Sequence, residues 1–365
     1  MLDAARASAE RIAHLRLIRT SRVGPVSFRQ LLDRHGSALA VLDALPMLVA
    51  KGRGRPIAIA EERAVLSEIA RVGRLGARHC LIGDPDYPVL LAQTDSAPPA
   101  LIVRGSLALF DRPSIAMVGA RNASAAACRF ARELAHMLGE AGATVVSGLA
   151  RGIDTAAHTG SLAHGTVGVI ASGIDIAFPP QNAELQERVA TKGLLLAEQP
   201  PGTEPLARFF PSRNRIIAGA TQGTVVVEAA PRSGSLITAR LAVEAGREVM
   251  AVPGSPLDPR AQGCNLLIRE GATLVQSADD ILEALRPIDP RAVRSPGFGW
   301  QSAPPADAND GERRDVEGLL GPVPVGVDEL IRQSGHAPAA VQTVLLELEL
   351  AGRLERHAGG RVSLF

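Results

Sequence analysis

The sequence is poor in the residues on which several common protein classes depend. Its three cysteines, Cys80, Cys128 and Cys264, are far apart and odd in number, so they predict neither a disulfide framework nor a metal site. No apolar run approaches the length of a bilayer span, and the first residues lack the apolar segment of a secretory signal. We therefore expect a protein of the reducing cytoplasm with no membrane anchor, no metal and no cofactor.

An excess of charge of one sign is also missing. The chain has 39 Lys and Arg against 38 Asp and Glu, a net charge of +1, so no global field indicates nucleic acid. Lysine itself occurs only at Lys51 and Lys192. The base composition of the genome can explain this bias, but its chemical consequence is that arginine carries the positive charge, and arginine makes planar, bidentate contacts with phosphate.

Several catalytic and cofactor motifs are absent. The sequence contains no P-loop and no Gly-x-Gly-x-x-Gly after the first core strand, and it has neither a Gly-x-Ser-x-Gly elbow nor a His-Glu-x-x-His zinc motif. Asp154 and His158 stand four residues apart and could form an acid–base pair, but such a pair more often buttresses a helix at a sheet edge. We predict no catalytic residues and a protein that is not an enzyme.

Short β-branched segments alternate with helical ones between Ser114 and Ala272. These segments lie at 114–119, 143–148, 166–173, 223–228 and 248–254. Each of them leads into a turn that is rich in glycine or other small residues. This alternation predicts an α/β core with a parallel sheet and right-handed crossovers. Glycine turns in such a sheet collect at its carboxyl edge, where ligands bind. We place this core at residues 76–286, with Ala100–Gly105 as a further strand of the sheet.

Helical patterns precede the core in residues 1–75. The stretch Val23-Gly24-Pro25-Val26 separates two helices. It fits a helix-hairpin-helix, whose second helix can hold a phosphate on its free amides, and it also fits a plain turn between helices. The single Val-Gly-Pro favours the plain turn.

The chain after the core is predicted to form a linker and a small domain. Residues 287–311 are rich in proline and glycine, as linkers are. Residues 312–365 follow the order of a winged helix, with three helices and a two-stranded hairpin. Its third helix carries Gln342, Thr343, Glu347 and Glu349 but no arginine, which argues against strong duplex binding and leaves a protein-contact role open.

The carboxyl edge of the predicted sheet combines features that suit a polyanion. Gly119, Gly148 and Gly234 allow close backbone approach, and Ser124 and Ser235 can cap helix starts. Arginines and phenylalanines stand beside these turns, at Arg121, Arg151, Arg213, Arg215, Phe178, Phe209 and Phe210. Amides, arginines and aromatic rings at one edge favour a phosphate chain with stacked bases. Taken singly, each arginine could equally form an ion pair and each phenylalanine could be a core residue.

Three blocks of sequence resemble the signature blocks of the DNA-processing protein DprA (Smf) family. They are Gly148 to His158 (GLARGIDTAAH), Phe210 to Ile217 (FPSRNRII) and Glu228 to Ala239 (EAAPRSGSLITA). The resemblance implies an extended Rossmann-like domain between a sterile-alpha-motif-like N-terminal domain and a winged-helix domain. It also implies single-stranded DNA binding, help in loading the recombinase RecA during natural transformation and recombination, contact with single-strand-binding protein, and a homodimer through the core.

The resemblance also implies which residues contact DNA. Arg121 would be a main contact, and the turn from Gly148 to Gly152 and the stretch Arg213-Asn214-Arg215 would line the same pocket. The predicted set is Gly119, Arg121, Ser147, Gly148, Arg151, Gly152, Phe178, Arg213, Asn214, Arg215, Ser233, Gly234 and Ser235. One departure is Pro180, which stands where many family members have a DNA-contacting lysine, so this contact is missing here and a neighbouring arginine would have to compensate for it.

Two other functions are compatible with parts of the pattern. The core could be a nucleotide hydrolase of the N-glycosidic bond that uses Glu228 beside a glycine phosphate loop, although the Pro-Gly-Gly-x-Gly-Thr loop of such enzymes is absent. The tail at 312–365 could make the chain a transcriptional regulator, against which the acidic third helix counts.

Overall fold

The chain forms two compact units. In the computed structural model the described residues are 2–51, 57–286, 308–357 and 359–365. One unit combines Met1–Ser67 with Val293–Phe365, and the other is Glu68–Ala292. The N-terminal helices and the C-terminal segment therefore share a unit although they lie at opposite ends of the sequence. The division into residues 1–75, 76–286, 287–311 and 312–365 stays a prediction, and most of the predicted linker lies outside the described residues.

Helices make up the N-terminal part, in agreement with the sequence pattern. They are α1 (Leu2–Arg19), α2 (Pro25–His35) and α3 (Ala38–Lys51), and α4 (Glu62–Arg74) leads into the larger unit. Helix α2 begins with Pro25, whose missing N–H costs nothing in the first turn. It ends at Gly36, which adopts the left-handed conformation with φ 77° and donates its N–H to the Leu32 carbonyl.

The larger unit alternates strands and helices. Its strands are β1 (Arg78–Leu81), β2 (Ala100–Gly105), β3 (Ser114–Val118), β4 (Thr144–Ser147), β5 (Thr166–Ile170), β6 (Leu194–Ala197), β7 (Gly223–Val226), β8 (Glu248–Ala251) and β9 (Thr273–Leu274). Its further helices are α5 (Val89–Ala92), α6 (Ala125–Glu140), α7 (Ile153–Ser161), α8 (Ala183–Lys192), α9 (Phe209–Gly219), α10 (Gly234–Glu244), α11 (Gln262–Arg269) and α12 (Ala278–Ala284). Short 3₁₀ turns lie at Leu107–Asp111 and Pro180–Asn182.

The described strands of this unit form one nine-stranded sheet in the order β1-β2-β6-β5-β4-β3-β7-β8-β9. The predicted parallel pairing is confirmed for β3, β4, β5, β7 and β8, and β6 and β9, which were not predicted, extend the parallel part on either side. Strand β2 is antiparallel to both β1 and β6, so one edge of the sheet is mixed. The strand order reverses between β3 and β7, and in open α/β sheets the carboxyl side of such a reversal is where ligands bind.

Apolar layers cover both faces of the sheet. Along β3, Ile115 and Met117 pack into the cluster that contains Leu134 of α6, whereas Ala116 and Val118 face the opposite cluster. All five residues of β3 are buried. Burial on both faces explains why these strands appear in the sequence as continuous apolar runs, which an exposed antiparallel sheet would not require.

The C-terminal part has the predicted winged-helix order. Its elements are α13 (Asp310–Gly318), β10 (Val325–Gly326), α14 (Val327–Ser334), α15 (Pro338–Leu350), β11 (Leu354–His357) and β12 (Arg361–Leu364). The predicted hairpin is confirmed, because β11 pairs antiparallel with β12 and places Leu354 opposite Leu364. Strand β10 adds a third strand on the other side of β12. Over the described ranges of the whole chain, no helix is both long and apolar enough to span a membrane.

Candidate nucleic-acid interface

The turn that follows β3 is packed directly against the loop between β4 and α7. A Cβ atom at Gly152, where φ is 77°, would lie 2.2 Å from the Ala120 carbonyl oxygen, and one at Gly119 would lie 2.5 Å from Cγ1 of Ile153. Only glycine permits this approach. The Ile153 N–H also donates to the Ala120 carbonyl at 3.3 Å. The contact brings the loop that carries Arg121 beside the loop of residues 148–152.

Two exposed arginines lie on these loops. Arg121 follows the turn at Gly119, and Arg151 precedes Gly152. Nη2 of Arg151 donates to Oδ1 of Asn122 at 3.2 Å, which ties its side chain to the neighbouring loop. Their guanidinium groups are therefore available to an anion at the carboxyl edge, in positions set by the backbone contact between the loops.

A third arginine, Arg213 of α9, lies beneath this edge. Its side chain is only 6% exposed, and its Nη1 is 3.8 Å from Oδ2 of Asp154. A Cβ atom at Gly148 would overlap the same Nη1, at 1.1 Å. The amides of Gly148 and Ala150 also donate to Asp154, at 3.2 and 3.3 Å. Arg213 is therefore a cation in the floor of the site that is paired with a buried carboxylate and scarcely faces solvent.

Burial shifts the pKa of both Asp154 and Arg213. Burial raises the pKa of Asp154, against the opposing effects of Arg213 and of the Ala150 and Gly148 amides. Burial likewise lowers the pKa of Arg213, with Asp154 acting in the opposite direction and Arg121 in the same one. Each ion depends on the other, because a buried charge without its partner is costly.

Two phenylalanines complete the wall of the site. Phe178 and Phe210 meet edge to face with ring centroids 5.8 Å apart. The guanidinium carbon of Arg121 lies 5.1 Å from the Phe210 ring centroid, within the range of a cation–π contact. Phe178 is 41% exposed, so an aromatic face is open to solvent beside the arginines.

These side chains surround one cavity of about 300 Å³, lined by Arg121, Gly148, Ala150, Arg151, Phe178, Pro179, Pro180, Gln181, Phe210 and Arg213. The structure thus brings together Arg121, Gly148, Arg151, Phe178 and Arg213 of the predicted set. Of the other lining residues, Ala150 lies in the predicted turn from Gly148 to Gly152 and Pro180 stands at the expected lysine position, whereas Pro179, Gln181 and Phe210 were outside the predicted set. For Phe210 a signal was available, because it precedes Arg213 by three residues and residues at this spacing share one face of a helix.

Asn182 holds two walls of the cavity together. Its Nδ2 donates to the Leu149 carbonyl at 2.8 Å and to Oγ1 of Thr155 at 2.9 Å. Leu149 has a positive φ of 55°, which is uncommon for a residue with a branched side chain. Asn182 therefore stabilises the shape of the 148–152 loop from the segment that carries Phe178.

Arg215 does not reach the cavity. Its guanidinium donates to the Glu198 carboxylate and to the Ser96 carbonyl. Residues 213 and 215 both belong to helix α9, where side chains two positions apart point in different directions. Asn214 lies between them, is partly buried, and does not line the cavity.

The serines of the predicted set have structural contacts. Ser147 is fully buried and its hydroxyl donates to the Met117 carbonyl at 2.6 Å, which joins β4 to β3. The cap of α10 is Ser233, whose Oγ accepts from the Ser235 amide at 3.4 Å, so the predicted cap at Ser235 is wrong. The predicted cap at Ser124 is confirmed, since its Oγ accepts from the Ala127 amide at 3.1 Å. Neither Ser233, Gly234 nor Ser235 lines the cavity.

The groups considered for catalysis are engaged in holding the fold. The Glu228 carboxylate accepts from the amide and the hydroxyl of Ser124, at 2.9 and 2.7 Å, and Glu228 does not line the cavity. Burial lowers the pKa of His158 to about 3, and its Nδ1 is 3.0 Å from Oγ1 of Thr166. Asp154 and His158 thus buttress the 148–152 loop and the sheet, as the more common interpretation of their spacing predicts.

Comparison with known proteins identifies the family. A family model described as DNA recombination-mediator protein A matches residues 78–286. The chain belongs to this family. A DprA-like N-terminal HHH domain matches residues 8–70, and a DprA winged helix domain matches residues 301–360. The helix-hairpin-helix interpretation of the N-terminal turn is therefore supported over the plain turn that we favoured.

Relatives and solved structures agree with this assignment. The chain is 45% identical over 201 residues to DNA processing protein DprA of Streptococcus pneumoniae, covering 54% of this chain and 71% of the relative. It is 39% identical over 301 residues to protein Smf of Escherichia coli, covering 78% and 77%. The pneumococcal structure superposes with a TM-score of 0.58 at 40% identity, over 61% of this chain and 77% of that one.

A second solved structure gives the fold and names a ligand. DNA processing protein A of Helicobacter pylori superposes with a TM-score of 0.51 at 27% identity, over 55% of this chain and 92% of that one. It is described in terms of the single-stranded DNA binding mode of that protein. Membership of the recombination-mediator family establishes this chain as a DNA-processing protein of that family.

Proposed function

We propose that this protein binds single-stranded DNA in the cavity at the carboxyl edge and delivers it to the recombinase RecA, without itself catalysing a reaction. The observation that carries the proposal is the convergence of Arg121, Arg151 and Arg213 with the rings of Phe178 and Phe210 around one cavity. The single-stranded DNA binding ascribed to the H. pylori relative supports it. The role would serve natural transformation and recombination.

The chemistry of the site suits a single strand better than a small metabolite. Arg121 and Arg151 are exposed and can contact successive phosphates, while Phe178 and Phe210 offer faces on which a splayed base can stack. Such stacking tolerates any base, so we expect little sequence preference. Arg213 acts from the floor through the shape that it gives to the 148–152 loop.

The path of the strand would continue past the cavity. The Ala120 amide donates to the Glu228 carbonyl at 2.7 Å, so the loop after β3 touches the segment that leads to α10. Ser233 and Gly234 begin α10 on that side, and helix starts attract phosphates. We propose that the predicted residues 233–235 contact DNA outside the cavity.

Pro180 supplies no positive charge in the wall, so Arg151 takes the role of the missing lysine.

Further partners belong to the same proposal. RecA and single-strand-binding protein are partners in strand transfer, and a homodimer through the core would lengthen the DNA path. Exposed apolar side chains at Ile237 and Val243 of α10 support such a contact between copies. The cysteines at 80, 128 and 264 are all free, as suits a reducing cytoplasm.

The test is to replace Arg121 by alanine and to titrate the protein with a short single-stranded oligonucleotide at several salt concentrations. Removal of one phosphate contact should weaken binding and reduce the slope of log K against log salt by about 0.7. Arg188→Ala on α8 is the matched control, because Arg188 is exposed, carries the same charge and does not line the cavity. Wild-type affinity and slope for Arg121→Ala would exclude the cavity as the DNA site.

A further inference from the structure

Helix α15 of the winged-helix domain is buried on two sides. One side, with Val341, Val344 and Leu348, packs into the hydrophobic core of that domain. Leu346 is only 3% exposed, yet it is not part of that core cluster. In winged helices that read duplex DNA, the corresponding helix must present a free face to the major groove. Something other than the winged-helix core therefore covers the face that contains Leu346.

The cover is the N-terminal helical domain, which lies in the same compact unit. Helix α15 packs against both α2 and α3. Nε2 of Gln30 donates to Oε1 of Gln342 at 3.1 Å. Gln342 lies four residues before Leu346, and Glu349 lies three residues after it, so the three side chains share one stripe of the helix.

The same stripe ends at the hairpin between α1 and α2. Nη1 of Arg22 donates to the Leu350 carbonyl at 3.4 Å. Oε1 of Glu349 lies 3.7 Å from the position that a Cβ atom of Gly24 would take. Gly24 is the N-cap of α2, the end of a helix that attracts anions. A carboxylate of the winged helix thus occupies the surroundings of the hairpin where a phosphate would bind.

We propose that the winged-helix domain uses α15 as a protein-binding surface, and that its partner is the helix-hairpin-helix of the same chain. In this closed arrangement the winged-helix domain covers the hairpin, and the N-terminal helices cover the face of α15 that contains Leu346. The carboxylates of α15 are paired within the winged-helix domain, Glu347 with Arg313 and Glu349 with Arg356, and Glu349 also lies beside the hairpin. Carboxylates on this helix suit a protein contact and would be a defect in a DNA-reading helix. Opening this contact exposes the hairpin to a phosphate backbone, so the chain gains a second DNA-binding surface that is separate from the cavity at the sheet edge.

The experiment uses the full chain in the Arg121→Ala background, so that binding at the cavity contributes as little as possible. The opening variant carries Gln30→Glu together with Gln342→Glu, which places like charges at a contact of 3.1 Å. The matched control carries Gln30→Lys together with Gln342→Glu, which restores an attractive pair at the same positions. Hydrogen exchange of α2, α3 and α15 and the affinity for a short duplex oligonucleotide are measured for both.

The opening variant should show faster exchange in α2 and α15, and its duplex affinity should rise by about fivefold or more, the low end of coupling between sites. Added carboxylates by themselves weaken binding to a polyanion. A gain in duplex affinity would therefore indicate that the hairpin has become exposed. The control should behave as the Arg121→Ala parent. Unchanged exchange would overturn the docking, and faster exchange with unchanged or weaker duplex binding would overturn the masking. Both outcomes are independent of the cavity.

Discussion

At the scale of single residues, arginines that look equivalent in the sequence have different roles. Arg121 is exposed and stacks on Phe210, whereas Arg213 is buried beside Asp154. An exposed arginine can exchange its bound water for a phosphate at little cost. A buried arginine is already paired, and its removal leaves a buried carboxylate without a partner. We therefore attribute direct contact to Arg121 and construction of the site to Arg213.

The fit between Gly148 and Arg213 gives a prediction about stability. Gly148→Ala should displace the Arg213 guanidinium, because the new methyl group would overlap its Nη1. Overpacking and the loss of a buried ion pair should lower the free energy of unfolding by on the order of 3 kcal/mol, measured by urea denaturation.

Gly73→Ala is the control for that substitution. Gly73 lies in α4 and a Cβ atom there would meet nothing within 4 Å. Alanine at this helical position should leave the protein unchanged or stabilise it by up to about 1 kcal/mol. Equal effects of the two substitutions would mean that Arg213 relaxes freely, and the proposed rigid floor would be wrong.

At the scale of elements, the sequence predicted the strands and their glycine turns but not every side-chain direction. The alternation of β-branched runs located β3, β4, β5, β7 and β8. The four-residue β6, with its leucines, carries no turn glycine and was missed. The family resemblance placed Arg213 and Arg215 in one pocket, without regard to the direction of each side chain. Both residues belong to helix α9, as the adjacent Ile216 and Ile217 indicate. In this helix Arg215 points away from the cavity and binds Glu198.

The loop that carries Arg151 depends on a residue outside it. Asn182→Ala removes the donors to the Leu149 carbonyl and to Thr155, which should cost about 1–3 kcal/mol of stability. Affinity for single-stranded DNA should fall while the salt slope stays at the wild-type value, because no cation is lost. Titration at several salt concentrations separates the two quantities.

Asn265→Ala serves as the comparison, since Asn265 binds the Gly254 backbone in an exposed loop and has no contact with the cavity. It should leave DNA affinity at the wild-type value. Should Asn182→Ala bind DNA as tightly as this control, then Asn182 only supports the fold and does not position the loop.

At the scale of the whole molecule, the net charge of +1 conceals a local concentration of arginine at one edge of the sheet. Global composition could not reveal it, because the edge is assembled from loops far apart in the sequence. The parallel α/β core and the winged-helix order followed from local patterns. The pairing of the N-terminal helices with the winged helix did not, since it depends on side chains more than 300 residues apart, such as Gln30 and Gln342.

His158 makes the stability of the whole molecule depend on pH. Burial lowers its pKa from 6.5 to about 3. Between pH 6.5 and pH 3, His158 binds a proton in the unfolded chain but not in the folded chain. The free energy of unfolding therefore decreases as the pH falls below 6.5. This group alone should lower the free energy of unfolding by about 2 kcal/mol between pH 7 and pH 5.

Urea denaturation of the wild type and of His158→Gln at both pH values isolates that contribution, because the other titrating groups are common to the two proteins. Glutamine retains a polar group for Thr166 and cannot be protonated in this range. The variant should lose less stability than the wild type on acidification. Identical losses would mean that His158 is not held neutral in the folded protein.

The scarcity of lysine has a practical consequence for experiments. Lys192 ends α8, where the chain turns into the start of β6. It is exposed at the amino edge of the sheet, opposite the edge that carries the cavity. After Lys51→Arg, an amine-reactive fluorophore would have Lys192 as its only side-chain target. A dye at that position would report tumbling and DNA capture without obstructing the strand.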